Sequence, residues 1–175
     1  LSITVPNWVF ADGQQKGLER LRDPKVRARL KRELQQGSQP GWTNLVEAAG
    51  GWQNIVLANA HSDAYSKYDQ LSLADIGARL GRDPADAAWD IVLAAYPQRA
   101  MGLFHLMTEQ DVETALQFPW TSIGSDAGVA EQPGGVGQGH GHPRAYGTFP
   151  RVIARYVKER KVLTLEQAIR KMTSW

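Results

Sequence analysis

The sequence predicts an α/β fold, and three observations lead to that prediction. Its composition, with 42% hydrophobic and 22% charged residues, is that of a globular domain with an apolar core. Helix start signals recur through residues 1–100. From Met101 onward, a short apolar run, a helical pattern and a second apolar run follow one another. That order is typical of a strand–helix–strand unit with parallel strands.

The charge balance and the residue types present exclude several classes of protein. Twenty basic and eighteen acidic side chains leave a net charge of +2, which is too small for a nucleic-acid partner. No apolar run approaches the roughly 18 residues of a membrane span, and residues 1–10 lack the pattern of a secretory signal, so we expect a soluble, cytoplasmic protein with no membrane partner. The chain has no cysteine, which excludes disulfides and thiolate metal ligands. Any metal must be held by His, Asp or Glu.

The first predicted helix begins at Asp23 and Pro24, an N-cap followed by a proline at the first helical position. Five basic residues lie on its polar face: Lys25, Arg27, Arg29, Lys31 and Arg32. A phosphate-binding stripe would have this charge, but acidic and amide residues dilute it and no aromatic residues alternate with it. We therefore interpret the face as solvated.

A strand and two further helices are predicted before residue 100. The apolar residues 55–57 indicate a short buried strand. Ser72 is a cap for a helix that reaches about Leu80, and Asp83 with Pro84 repeats the Asp-Pro start for the next helix.

The segment after Met101 carries the strongest prediction of topology. The apolar runs 101–107 and 120–124 are expected to be neighbouring parallel strands, joined by a helix that Thr108 caps. Functional groups collect at the carboxyl ends of such strands, where Asp126 stands. This carboxylate is placed either for metal binding and proton transfer or, alternatively, for capping the loop that follows.

The last third of the chain holds a glycine-rich loop and two predicted helices. The loop spans residues 128–142. Thr148 and Pro150 are predicted to open one helix, and the capping box of Thr164 and Gln167 opens the other.

Four histidines are further candidates for metal binding. His140 and His142 form an HxH pair, but they lie in the glycine-rich loop, so we favour an exposed loop over a metal site. His105 lies in an apolar run, where a buried or half-buried imidazole with its hydrogen bonds satisfied is expected. His61 is interpreted as a loop residue.

Two stretches resemble a known family. They are FHLMTEQDVETALQFPWTSIGSDAG at 104–128 and HPRAYGTFPRVIARYVKERKVLTLEQAIRKMTS at 142–174, and the IGSD, HPR and GTFPR elements occur in them in order. The chain is similar here to the C-terminal part of the N-acyl-D-amino-acid deacylases, or D-aminoacylases, of the amidohydrolase superfamily. The resemblance implies part of a TIM-type (β/α)8 barrel. Residues 1–100 would be the segment after the sixth strand with a helical lid insertion, and residues 101–175 the last two strands with their helices, both in one incomplete catalytic domain.

The resemblance also implies a function. Enzymes of this family are zinc-dependent hydrolases that cleave N-acyl-D-amino acids, small molecules, to a carboxylate and a free D-amino acid. Asp126 matches the aspartate that binds or deprotonates the attacking water, and it is a candidate metal ligand. Arg144 matches a position that would grip the substrate carboxylate, although it could instead pin the glycine-rich loop. Ser125 and His142 are motif positions, which we group with Arg144 on the substrate side without assigning their roles.

The sequence also departs from the family pattern. The HxH after the first strand, the bridging ligand and the histidines after the fifth and sixth strands have no counterpart in it, and a complete barrel needs at least about 200 residues. We therefore expect a fragment that binds no zinc and has no activity alone. Two other functions stay open: a hydrolase of cyclic amides such as dihydropyrimidines or hydantoins, and a non-catalytic interaction module. The oligomeric state is open as well.

Overall fold

A computed structural model describes residues 1–127 and 143–173 of the chain. The chain forms two compact units, Leu1–Leu106 and Met107–Trp175. The boundary between them falls near the end of the apolar run 101–107. No helix in the described ranges has the length and apolar character needed to cross a membrane.

The first unit consists of five α-helices and two strands, with 3-10 turns at Ser2–Thr4, Asn7–Val9, Trp52–Asn54 and Ser66–Tyr68. Its elements are α1 (Gln14–Arg22), α2 (Pro24–Gln35), α3 (Leu45–Ala48), β1 (Ile55–Asn59), α4 (Leu73–Leu80), α5 (Pro84–Ala95) and β2 (Met101–Phe104). The core contains large side chains from nearly all of them, each under 2% exposed: Leu21, Leu30, Ile55, Leu57, Leu73, Ile76, Trp89 and Ile91.

The helix starts that the sequence predicts in this unit are confirmed. Asp23 accepts a hydrogen bond from the Lys25 N–H at 2.8 Å, and Asp83 accepts one from the Ala85 N–H at 2.8 Å. Gly81 ends α4 in the left-handed conformation, with φ 62°, which glycine adopts without the steric cost of a Cβ.

The basic face of α2 is only partly solvated: Lys25, Arg29 and Arg32 are exposed as predicted, whereas the other two basic residues form ion pairs with α5. The Arg27 guanidinium lies 2.7 Å from Asp90 and 3.3 Å from Asp86, and its side chain is only 15% exposed. Lys31 lies 2.5 Å from Asp86. Arg27 and Lys31 thus link α2 to α5, a role that depends on acidic residues far away in the sequence.

The predicted strand–helix–strand unit is wrong. β2 pairs with β1 and is antiparallel to it, with Ile55 opposite Phe104 and Leu57 opposite Gly102. Residues 120–124 have irregular backbone instead of forming a second strand. That run offers little apolar surface to bury, since Trp120 is 72% exposed and Ile123 is its only other large apolar residue. In the described residues the fold is therefore helical with one small two-stranded sheet.

The second unit comprises α6 (Glu109–Gln117), α7 (Arg144–Arg151), a π-helical segment (Val152–Glu159) and α8 (Leu165–Met172). The capping boxes at Thr108 and Thr164 are confirmed. The helix predicted to open at Thr148 and Pro150 begins earlier, at Arg144, so Pro150 lies inside it. Proline has no N–H to donate to the hydrogen bonds of the helix. The π-helical segment begins at Val152, shortly after this missing bond.

The core that the described residues of the second unit form is small. Its buried apolar residues come from α6, the π-helical segment, α8 and the turn before α8: Leu116, Val152, Tyr156, Leu163 and Ala168.

Candidate functional site

Asp126 lies in the irregular backbone that follows α6, close to the end of the described stretch. Its φ is +48°, in the left-handed region that non-glycine residues adopt infrequently and that Asp tolerates better than most. Its side chain is 89% exposed. The carboxylate is therefore accessible to a small molecule in solution.

Arg144 contacts Asp126 directly. Arg144 is the first residue of α7, and its Nη1 lies 3.0 Å from Asp126 Oδ2. The arginine side chain is 44% exposed. An ion pair between groups this exposed contributes about 0–1 kcal/mol, so another anion can exchange with the carboxylate. The structure thus brings together the two residues that the sequence selected for chemistry.

Of the other two motif residues, Ser125 and His142, the structure describes only Ser125. Ser125 Oγ accepts a hydrogen bond from the Ala127 N–H at 3.3 Å, so it shapes the turn that presents Asp126. His142 lies outside the described residues, as do His140 and the rest of the glycine-rich loop.

The remaining histidines are not part of this site. His61 is a loop residue as predicted, and its N–H donates to Asn59 Oδ1 at 2.9 Å. His105 is exposed, which corrects the burial expected for it, and its Nδ1 lies 3.0 Å from the Asn54 carbonyl oxygen. β2 ends at Phe104, so His105 lies just after the strand although it is inside the apolar run 101–107.

Sequence reasoning missed Lys171, a buried residue of α8 that is 4% exposed. Its ammonium donates to the carbonyl oxygens of Phe118 and, at 3.1 Å, of Thr121, on the segment that leads to Asp126. A signal was available in the sequence: Lys171 lies three residues after Ala168, on the apolar face of the helix.

The described residues do not fit a zinc site. In residues 1–127 and 143–173, no three His, Cys, Asp or Glu side chains come close enough together to hold a metal ion. Asp126 is a single carboxylate facing a guanidinium, whereas a catalytic zinc needs about three protein ligands.

Comparison with known proteins confirms the resemblance stated above over part of the chain. No protein-family model matches. Three curated proteins of Alcaligenes xylosoxydans xylosoxydans match the chain in sequence. An N-acyl-D-glutamate deacylase is 38% identical over 103 residues, an N-acyl-D-aspartate deacylase is 34% identical over 112, and a D-aminoacylase is 34% identical over 108. These matches cover 59%, 64% and 61% of this chain but 18%, 20% and 20% of the relatives. The chain therefore spans about a fifth of their length.

Two solved structures are also similar. A crystal structure of N-acyl-D-glutamate deacylase from Bordetella bronchiseptica, complexed with zinc and a phosphonate mimic of the tetrahedral intermediate, is 33% identical with a TM-score of 0.54, over 73% of this chain and 24% of that one. A D-aminoacylase structure, described as defining a novel subset of amidohydrolases, is 30% identical with a TM-score of 0.49, over 68% of this chain and 22% of that one. The chain is thus similar to named amide hydrolases in both sequence and structure.

Proposed function

We propose that this chain is part of a hydrolase that cleaves the amide bond of N-acyl-D-amino acids, releasing a carboxylate and a free D-amino acid. The observation that carries the proposal is the 3.0 Å contact of Asp126 with Arg144, in a chain 34–38% identical to three deacylases of such substrates. Hydrolysis of cyclic amides and a non-catalytic interaction role have no support in these comparisons.

Asp126 would be the catalytic residue that moves the proton. Its carboxylate takes a proton from the attacking water as the water oxygen bonds to the acyl carbon. It then gives the proton to the amide nitrogen as the carbon–nitrogen bond breaks, so that the amine leaves neutral. The 89% exposure of the side chain supports this role, because a small substrate can reach the carboxylate oxygens.

Arg144 would bind the carboxylate of the D-amino acid. A guanidinium offers two parallel N–H donors that match a carboxylate, and this fixes the substrate in one orientation. The substrate carboxylate would then compete with Asp126 for Arg144. Binding would thereby release Asp126 from its ion pair at the moment it is needed as a base.

The metal of this reaction would be held by other residues. The Bordetella deacylase was crystallised with zinc, but the described residues of this chain do not fit a zinc site. Asp126 would supply at most one oxygen ligand, so we derive no step through the metal. The ligands would come from the complete enzyme, by which we mean the polypeptide that the gene encodes, with any residues that flank these 175.

We further infer that the two units are parts of one catalytic domain of the TIM-barrel type, located in the cytoplasm. Residues 1–100 would be the segment after the sixth strand with its helical lid, and residues 101–175 the C-terminal part of that domain. The TM-score of 0.54 over 73% of the chain supports this architecture.

The test is release of D-amino acids by the complete enzyme. N-Acyl-D-glutamate, N-acyl-D-aspartate and an N-acyl neutral D-amino acid are assayed beside their L enantiomers, with a hydantoin and a dihydropyrimidine as cyclic amides. We expect hydrolysis of at least one D substrate and none of the cyclic amides. Turnover of the cyclic amides alone would contradict the proposal.

The isolated 175-residue chain provides the second arm of the test. We expect it to release no D-amino acid even with added zinc, because its described residues cannot hold the metal. Zinc-dependent turnover by this chain alone would show that the 175 residues are not merely part of the catalytic unit.

A further inference from the structure

We propose that Lys171 is a positioning residue for Asp126, an inference that rests on the function proposed above for Asp126. Lysine is almost never fully buried unless its charge has partners, because removing an ammonium from water costs several kcal/mol. Lys171 is nonetheless 4% exposed. Its burial therefore requires an explanation in terms of what the ammonium binds.

The ammonium binds main-chain carbonyls in the segment that precedes Asp126. In the described part of the unit its hydrogen-bond acceptors are the Phe118 and Thr121 oxygens. The Lys171 carbonyl oxygen in turn accepts the N–H of Ile123 at 2.8 Å. One residue of α8 thus makes three hydrogen bonds to residues 118–123.

These hydrogen bonds take the place of the main-chain hydrogen bonds that a neighbouring strand would have provided. Residues 120–124 pair with no strand in the described part of the chain, and Trp120 projects into solvent with 72% exposure. Buried main-chain groups need partners, and here the side chain and the main chain of Lys171 supply them. Besides the packing of Ile123 on the small core, these bonds fix the course of the segment.

Asp126 follows Ile123 by three residues and faces Arg144 at 3.0 Å. A shift of about 1 Å in a catalytic group can cost about a hundredfold in rate. Loss of the Lys171 bonds would allow such a shift without removing any group that contacts substrate. We therefore expect Lys171 to affect the chemical step more than substrate binding.

The experiment compares Lys171→Met with Lys158→Met in the complete enzyme. Methionine keeps an unbranched apolar side chain of similar length but lacks the ammonium, and Lys158 is an exposed lysine of the same unit. We expect Lys171→Met to lower kcat by about tenfold to a hundredfold, with KM within about twofold. Lys158→Met should leave both constants unchanged. Lys171→Arg, which keeps donors for the carbonyls, should recover part of kcat.

Amide exchange in the 175-residue chain gives a readout that does not depend on turnover. Lys171→Met should accelerate exchange of the Ile123 amide by about tenfold or more and shift the amide resonances of Ser125, Asp126 and Ala127. Residues of α6 should keep their protection. If the complete wild-type enzyme hydrolyses no D substrate, the proposed function fails, and this readout alone decides whether Lys171 positions the segment.

Three results would overturn the inference. One is a folded Lys171→Met enzyme with wild-type kcat. The second is exchange that accelerates equally throughout the second unit, because that would assign Lys171 to general stability. The third applies if Lys171→Met fails to fold: a folded Lys171→Gln enzyme, which lacks the ammonium, with wild-type kcat and wild-type exchange of the Ile123 amide would show that the ammonium does not hold the segment.

Discussion

The two units of the chain are stabilised in different ways. The first unit has a core of large apolar side chains from four of its helices and from β1, with Trp89 and Leu21 fully buried in it. The second unit buries a much smaller apolar set, and capping boxes, ion pairs and the buried Lys171 supplement it. Ion pairs depend on the pH and are screened by salt, whereas buried apolar area carries no charge to titrate or to screen.

The charged contacts show the same contrast. In the first unit, Arg27 and Asp90 are 15% and 17% exposed and lie 2.7 Å apart. In the second, Arg151 and Glu109 are 55% and 36% exposed at 3.1 Å, where solvent screens the pair. The candidate site thus lies on the unit with the smaller core. The geometry of the site depends on polar contacts, whereas the first unit combines a large apolar core with the half-buried ion pairs between α2 and α5.

The largest effect is expected at Asp126, the proposed catalytic residue of the second unit. Asp126→Asn in the complete enzyme removes the base but keeps the size of the side chain, and positioned proton transfer contributes about 10² to 10⁴ in rate. We expect kcat to fall by that factor while the bound zinc, measured by metal analysis, changes little. Asp63→Asn, at an exposed loop position of the first unit, is the control and should be neutral. An unchanged kcat in Asp126→Asn would show that another group moves the proton.

The next effect tests the core of the first unit. Leu21 is fully buried, so Leu21→Ala should lower the free energy of unfolding by about 2–5 kcal/mol. Leu165→Ala removes the same atoms from a leucine of the second unit that is 48% exposed. This substitution should change the free energy of unfolding by about 0.5 kcal/mol or less. Denaturant titration of the 175-residue chain, followed by hydrogen exchange in each unit, measures both. Equal losses would contradict the difference in burial between the two leucines.

A smaller effect is expected at Arg144. Arg144→Lys keeps the charge but loses the paired donors, so KM for N-acyl-D-amino acids should rise by about tenfold, or about 1.4 kcal/mol. The ratio of kcat/KM for the N-acyl-D-amino acid to kcat/KM for the corresponding amide, which lacks a free carboxylate, should also fall. Steady-state kinetics on both substrates measures this. Equal losses on the two would place Arg144 in the scaffold of the glycine-rich loop.

The smallest effect is the pH dependence of the second unit. A hydrogen bond from Tyr156 and the neighbouring guanidinium groups, Arg151 first among them, hold the pKa of Glu109 below its usual value. A carboxyl whose pKa is lowered by folding stabilises the folded state above its unfolded pKa of about 4.3, and this stabilisation is lost as the pH falls further. We therefore expect protection from exchange in α6 to weaken between about pH 5 and pH 3, and Glu109→Gln to reduce that dependence. An unchanged pH profile in Glu109→Gln would exclude Glu109 as its source.

The candidate site was partly predictable from the sequence. The IGSD and HPR elements identified Asp126 and Arg144, and the structure places their charged groups 3.0 Å apart. Lys171 was missed because its ligands are main-chain carbonyls, and nothing in a residue's identity shows which distant carbonyls it will meet. Asp126 was placed at the end of a strand, but the structure has irregular backbone there.

The sequence by itself determined the local features of this protein. Helices begin at Asp23, Asp83, Thr108 and Thr164 because a cap bonds to an N–H two or three residues away, an interaction that needs no other part of the chain. Only the tertiary structure decided the partner of β2 and the partners of the basic face of α2. A strand of four residues pairs with whichever edge the surrounding core presents, and a basic helix face remains solvated or becomes buried according to the charges that folding brings to it.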